Sequence, residues 1–222
     1  IQCRMLLDAN WQEQSLEHMA VAYVADLRTR QPQGPYHLLG WSLGGTLAIL
    51  MTAELERQGQ QVEFLGLMDS FVPGAEPGAK REDGLEDLHA FIQVMMPGVQ
   101  ATLPLTLDES PAGLRQLFAG LLAQQTVAVG SLSQVLGADE LGHIFSVSRR
   151  LKGLSLALVR CPSIQTTPHC WWAAGHEAAA QALCLQIGQD AAGPSLPCGH
   201  FEVPRNSRFL ESLDQTLTRL LT

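Results

Sequence analysis

No run of about 18 apolar residues occurs in this 222-residue chain, so no transmembrane helix is expected. Basic residues are scarce. The 14 Lys and Arg stand against 22 Asp and Glu, a net charge of −8 with no basic stripe, which argues against nucleic acid as a partner. Cysteine is sparse as well: Cys3, Cys161, Cys170, Cys184 and Cys198 are odd in number and form no C-x-x-C pair. That pattern fits reduced thiols in a cytoplasmic protein better than a disulfide framework or a zinc site. The opening residues lack the long apolar core and small-residue cleavage site of a secretory signal. They also lack an initiating Met, so the chain is read as cut from a longer polypeptide.

What is present is a large apolar share, 46%, with only 16% charged residues, enough to bury the core of one domain that carries a large insertion. Leu16, Met19, Ala20, Tyr23, Val24 and Leu27 recur at helical spacing between Ser15 and Arg30, with Ser15 able to cap the start. Tyr36 to Gly40 is a short apolar run of the kind a parallel sheet covers on both faces. A helix over Leu43–Gln58 and a second strand over 62–68 complete a strand–helix–strand unit. Residues 75–155 are less regular and read as an insertion over the sheet edge, with helices over 114–136 and 139–158. Sheet-like sequence returns at 164–174 and 194–197. A last helix is expected after Asn206 or Ser207, with its stripe at Phe209, Leu210, Leu213, Leu217, Leu220 and Leu221.

The sharpest chemical signal is Gly40-Trp41-Ser42-Leu43-Gly44, where an apolar strand ends and an uncharged helix begins. A serine on such a turn projects its hydroxyl above the sheet, and the flanking glycines leave room for neighbouring chain. The helix N-terminus favours a developing oxyanion there, and Leu43 supplies one backbone N–H for it. A serine hydroxyl needs a base, usually His, and an acid to orient that base. Asp69 follows the strand ending at Met68, with Asp190 as its rival. His200, in Cys198-Gly199-His200-Phe201, stands just before the last helix, where a late base belongs. His176 is its competitor. His37 reads as a packed core residue; His18, His89 and His143 fall on helices, and His169 flanks the Trp171 strand.

Gly34 to Gly45, with the core Gly40-Trp41-Ser42-Leu43-Gly44-Gly45, resembles the nucleophile segment of thioesterase domains that end nonribosomal peptide synthetases. Val62 to Asp69 resembles the strand and catalytic Asp that follow in that family, and the 27-residue interval from Ser42 to Asp69 is similar to theirs. Cys198-Gly199-His200-Phe201 resembles the late His loop, where Gly-Asp-His-Phe is the commoner form.

The resemblance implies an α/β-hydrolase fold: a mostly parallel sheet flanked by helices, with a helical lid insertion. It implies Ser42 as nucleophile, His200 as base and Asp69 as orienting acid, with no bound cofactor or metal. The substrate is then a peptidyl thioester on the phosphopantetheine arm of a neighbouring peptidyl carrier domain, released by hydrolysis or macrocyclisation. Antibiotic or siderophore biosynthesis in the cytoplasm is the implied setting. In this fold the first strands and the loop with the second oxyanion donor precede the helix at Ser15. None of the 41 residues before Ser42 reads as that strand and loop, so those strands are expected to be missing from this chain. Leu114, Leu117, Phe118, Leu121, Leu122, Val127, Val129, Leu132, Val135 and Leu136 are expected either to line a channel for the peptide or to pack on each other. Competing readings are a stand-alone esterase, a type II editing thioesterase, and a docking module that keeps the fold without the chemistry.

Overall fold

Four strands, β1 (Tyr36–Trp41), β2 (Val62–Met68), β3 (His169–Ala173) and β4 (Ser195–Leu196), form a parallel sheet in that order and organise the larger part of the chain. The computed structural model describes residues 3–8, 10–70, 84–96, 99, 104–124, 135–190 and 193–220. The chain divides into two compact units: residues 13–79 with 155–222 (and Ile1) in one, and 2–12 with 80–154 in the other.

The first unit carries the sheet. Helix α2 (Leu16–Arg30) begins where Ser15 Oγ accepts the His18 N–H, and it buries Leu16, Met19, Ala20, Tyr23 and Val24, the stripe expected from the sequence. It packs on α3 (Leu43–Arg57), which in turn covers β1 (Tyr36–Trp41) and β2 (Val62–Met68). β2 is buried at every position but Glu63, as a strand with neighbours on both sides should be. β1 departs from the expectation: Tyr36, Leu38 and Gly40 are buried while His37 and Leu39 are exposed. Among the described residues β1 pairs only with β2 and no strand precedes it. At this edge position it alternates instead of being covered on both faces.

β3 (His169–Ala173) is shorter than the 164–174 expected. Ile164 is buried, but its N–H bonds to Ile187 O at the end of α7 (Glu177–Ile187) instead of joining the ladder. β4 is two residues, Ser195–Leu196. The chain then enters a 3-10 helix (His200–Arg205) and α8 (Ser207–Leu220). α8 lays Phe209, Leu213, Leu217 and Leu220 against Phe64, Met68 and Trp171, and the Trp171 indole N–H donates to Ser212 Oγ at 3.0 Å. Burying Trp171 and Phe209, at 2% and 3% exposure, contributes roughly 2 kcal/mol or more each before entropy is counted.

The second unit is helical: α1 (Arg4–Leu7), α4 (Gly84–Met95), α5 (Pro111–Ala123) and α6 (Ala138–Ala157) through Leu154. α5 starts at a Ser110 cap followed by Pro111 and ends at Ala123, earlier at both ends than the helix expected over 114–136. Its apolar residues pack on one another: Leu114, Phe118 and Leu121 are buried with Leu88, Ile92, Leu141 and Phe145, and Leu117, Leu122 and Leu136 lie against that cluster. For these positions the structure shows the packing alternative. Val135 is 80% exposed, and Val127, Val129 and Leu132 lie outside the described residues. Phe91, Phe118 and Phe145 meet edge to face. Asp87 bonds Arg149 and Lys152 at 2.5 Å each, and the two cations hold its carboxyl below the ordinary range despite burial.

Candidate active site

Each strand ends at one member of a single side-chain cluster. β1 runs into Ser42, β2 into Asp69, β3 by a short turn into His176, and β4 into His200. In open parallel sheets the C-terminal strand ends are where sites form.

Ser42 caps α3 with φ +54° and ψ −125°. A side chain in this region costs on the order of 1–3 kcal/mol and persists only where surroundings enforce it. Here the Ser42 N–H donates to Met68 O at 2.9 Å, tying the turn to the end of β2, and Ser42 O accepts the Gly45 N–H at 3.0 Å. The turn is crowded. A Cβ on Gly40 would lie 2.5 Å from Gly45 Cα and overlap the Gly44 carbonyl, and one on Gly45 would overlap the Ser70 side chain. Gly44 meets nothing within 4 Å, so the expectation that both flanking glycines make room holds for Gly40 and passes from Gly44 to Gly45.

Asp69 is fully buried and also has positive φ, +45°. Its Oδ2 lies 2.5 Å from His200 Nδ1, its Oδ1 accepts the Ala173 N–H at 2.9 Å, and His176 Nδ1 is 2.9 Å from both oxygens. Burial alone would push the Asp69 carboxyl up. The hydrogen bonds from His200, Ala173 and His176 outweigh it and hold the carboxyl below its ordinary value. An ionised carboxylate only accepts, so the Nδ1 atom of each imidazole carries the proton. In the neutral His200 ring this leaves Nε2 as an acceptor, and it lies 3.0 Å from Ser42 Oγ.

His200 is also held from its sides. The Trp41 indole stacks on it with centroids 5.1 Å apart, the Trp41 Nε1–H donates to His200 O at 3.2 Å, and Phe201 sets its edge against both rings.

The structure thus brings Ser42, Asp69 and His200 together, 27 and 158 residues from the serine along the chain. Leu43 is the first residue of α3, where amide N–H groups point out of the helix end. His176 bonds the acid, with Nδ1 2.9 Å from both Asp69 oxygens. Asp190 lies exposed in the turn after α7. His37, expected in the core, is exposed at the edge strand with Nε2 2.8 Å from Glu63. His169 stacks on Phe64, and burial lowers its pKa. The second imidazole on Asp69 and the Trp41 stack were not legible as contacts. The available signal was the parallel between Gly175-His176 and Gly199-His200, each a Gly-His pair after a strand.

Asp69, His176 and His200 place their donor atoms within 4.8 Å of one another, a set that can hold a metal ion. Both Nδ1 protons already serve the buried carboxylate, so a metal would have to displace them.

A family model for the thioesterase domain matches residues 8–135, more than half of the chain. The chain belongs to the thioesterase-domain family. It is 55% identical over 56 residues to malpibaldin synthetase of Mortierella alpina, a match covering 25% of this chain and 1% of that protein. It is 45% identical over 73 residues to enterobactin synthase component F of Escherichia coli (strain K12), covering 32% of this chain and 6% of that protein. The thioesterase chain spans at most a few per cent of the length of these relatives. A four-domain nonribosomal peptide synthetase in its holo form, bound to AMP and glycine, superposes with a TM-score of 0.74 at 23% identity, over 99% of this chain and 17% of that one. The fold is that of the α/β-hydrolases. Among the described residues no helix is long and apolar enough to cross a membrane.

Proposed function

We propose that this thioesterase domain releases a peptidyl chain from the phosphopantetheine arm of a carrier protein through an acyl-Ser42 intermediate. The reading is carried by one observation: the Ser42 hydroxyl, the His200 imidazole and the buried Asp69 carboxylate form a continuous hydrogen-bonded line. That line supplies what a weak nucleophile requires, a base within reach and an anion that fixes the base's tautomer. The match to synthetases, a dimodular nonribosomal peptide synthase of Bacillus subtilis among them, supports the carrier-bound thioester as substrate.

His200 Nε2 takes the Ser42 proton as Oγ attacks the thioester carbonyl. The imidazolium so formed is stabilised by Asp69. The Leu43 N–H and the N-terminal end of α3 lie where the tetrahedral oxyanion develops, and such donors are worth on the order of 100-fold or more in rate. Collapse breaks the C–S bond, and the imidazolium proton passes to the departing pantetheine thiolate. Water then attacks the ester, or a hydroxyl or amine of the peptide does. His200 again takes the proton, and the free acid, lactone or lactam leaves with Ser42 restored. A carrier domain in the same polypeptide and a cytoplasmic setting accompany this reading.

The test compares turnover of a carrier-bound peptidyl thioester with that of a simple oxygen ester, with intact-mass detection of the acyl adduct. An adduct on Ser42 from the thioester, absent in Ser42→Ala, is expected. Release by Ser42→Ala at near wild-type rate would overturn the assignment, and preference for the oxygen ester would favour a stand-alone esterase.

A further inference from the structure

Asp69 receives more donors than a base-orienting carboxylate needs. His200 and the Ala173 N–H already occupy one oxygen each, yet His176 Nδ1 sits 2.9 Å from both oxygens. The local chain is built to bring it there. The His176 N–H bonds back to Ala173 O at 3.3 Å, closing a turn whose third residue, Gly175, has φ +85°, a conformation that favours glycine. The same turn therefore sets two donors on the carboxylate, the Ala173 amide and the His176 ring. Beyond the turn His176 caps α7 with its backbone, but its side chain makes no capping bond and points to Asp69 instead.

Rotation about the Asp side chain's last torsion is soft, with no deep staggered well to fix the carboxylate plane. His176 Nδ1, equidistant from the two oxygens at 2.9 Å, adds a third donor against that rotation to those of His200 and the Ala173 amide. Resting on the reading given under Proposed function, we propose that His176 is a positioning residue: a second imidazole that locks the plane of the Asp69 carboxylate so that Oδ2 stays aimed at the base His200. Asp69 after β2, the His200 ring and Glu177 on α7 lie near His176. The Glu177 carboxylate bonds Ser195 Oγ at 3.1 Å and the Gly175 N–H at 3.4 Å, bracing the turn from outside.

Two variants separate positioning from bulk. Asn places its amide nitrogen where His has Nδ1, so His176→Asn keeps a neutral donor on the carboxylate, whereas His176→Leu removes it. His176 is 37% exposed, so both are expected to fold, with thermal melts as the check. Two readouts apply. The first is the far-downfield proton resonance of the Asp69–His200 hydrogen bond, which needs no turnover. The second is the rate of fluorophosphonate labelling at Ser42. In His176→Leu the resonance is expected to move, since the carboxylate loses a donor, and labelling is expected to slow roughly tenfold to a hundredfold. In His176→Asn both are expected to return towards wild type. An unmoved resonance in His176→Leu, or failure of Asn to restore it, overturns the inference. Wild-type protein that shows the resonance but never labels at Ser42 would overturn the functional reading instead, leaving the resonance to decide the role of His176.

Discussion

Replacing Asp69 with Asn tests the orienting role with one atom changed. Three N–H groups converge on the carboxylate: the His200 ring, the His176 ring and the Ala173 amide. An Asn side chain has a single acceptor oxygen and an NH2 that cannot face a donor. The Ala173 amide is backbone and cannot adapt, so the oxygen turns to it and the NH2 to His200. The imidazole then relieves the donor–donor contact by moving its proton to Nε2, the atom that must accept the Ser42 hydroxyl proton. The expected loss in acylation rate is about 10,000-fold, the scale on which a wrong base tautomer acts. With mispaired buried donors the expected destabilisation at pH 7 is about 1–3 kcal/mol. Burst-phase acylation and thermal melts measure the two. The pH dependence adds a check. Because the folded Asp69 carboxyl titrates below its ordinary value of 3.8, its stabilisation is complete above that value. It is lost as pH falls below 3.8 through the folded value. The wild-type protein therefore loses an increment of stability in that acid window that Asp69→Asn does not. Acylation by Asp69→Asn within tenfold of wild type would refute the orienting role.

Other outcomes follow from the same geometry. Gly40→Ala is expected to abolish activity or soluble folding because the added Cβ meets the backbone of Gly44 and Gly45. Gly44→Ala, facing open space in a helix, should be neutral or stabilising by about 0.5–1 kcal/mol in denaturant melts. Glu56→Ala should cost about 1–3 kcal/mol, since its carboxylate accepts the Gln165 and Thr166 N–H groups and the Thr166 hydroxyl at 2.7–3.0 Å, and so holds the segment entering β3. Burial pushes the Cys161 and Cys170 thiols up to about 12, so peptide mapping after brief iodoacetamide treatment of the native protein at pH 8 should find neither modified.

The elements that carry the serine and the acid were readable because the signals there are local. An apolar run, Gly-x-Ser-x-Gly and an uncharged helix sit within two dozen residues, and Ser15 announces its helix by its own cap. The limits of β3 were not readable, since Ile164 is as apolar and as buried as a strand residue but gives its N–H to α7. Burial and ladder pairing have the same hydrophobic signature and differ only in a partner far along the chain. His37 was misplaced for a related reason: no local feature says that β1 has β2 as its one pairing partner among the described residues. His176 and Asp69 are 107 residues apart, and the tight Gly175 turn that joins them looks in sequence like any loop glycine.

Because the four strands hand over their members in chain order, synthesis assembles this chemistry in a fixed sequence. The alcohol is laid down first, and its proton acceptor emerges 158 residues later. On the proposed mechanism, a ribosome-bound nascent chain therefore holds a serine with no means of activation until translation has passed the last strand. During all that time the proposed route to acylation is closed to it.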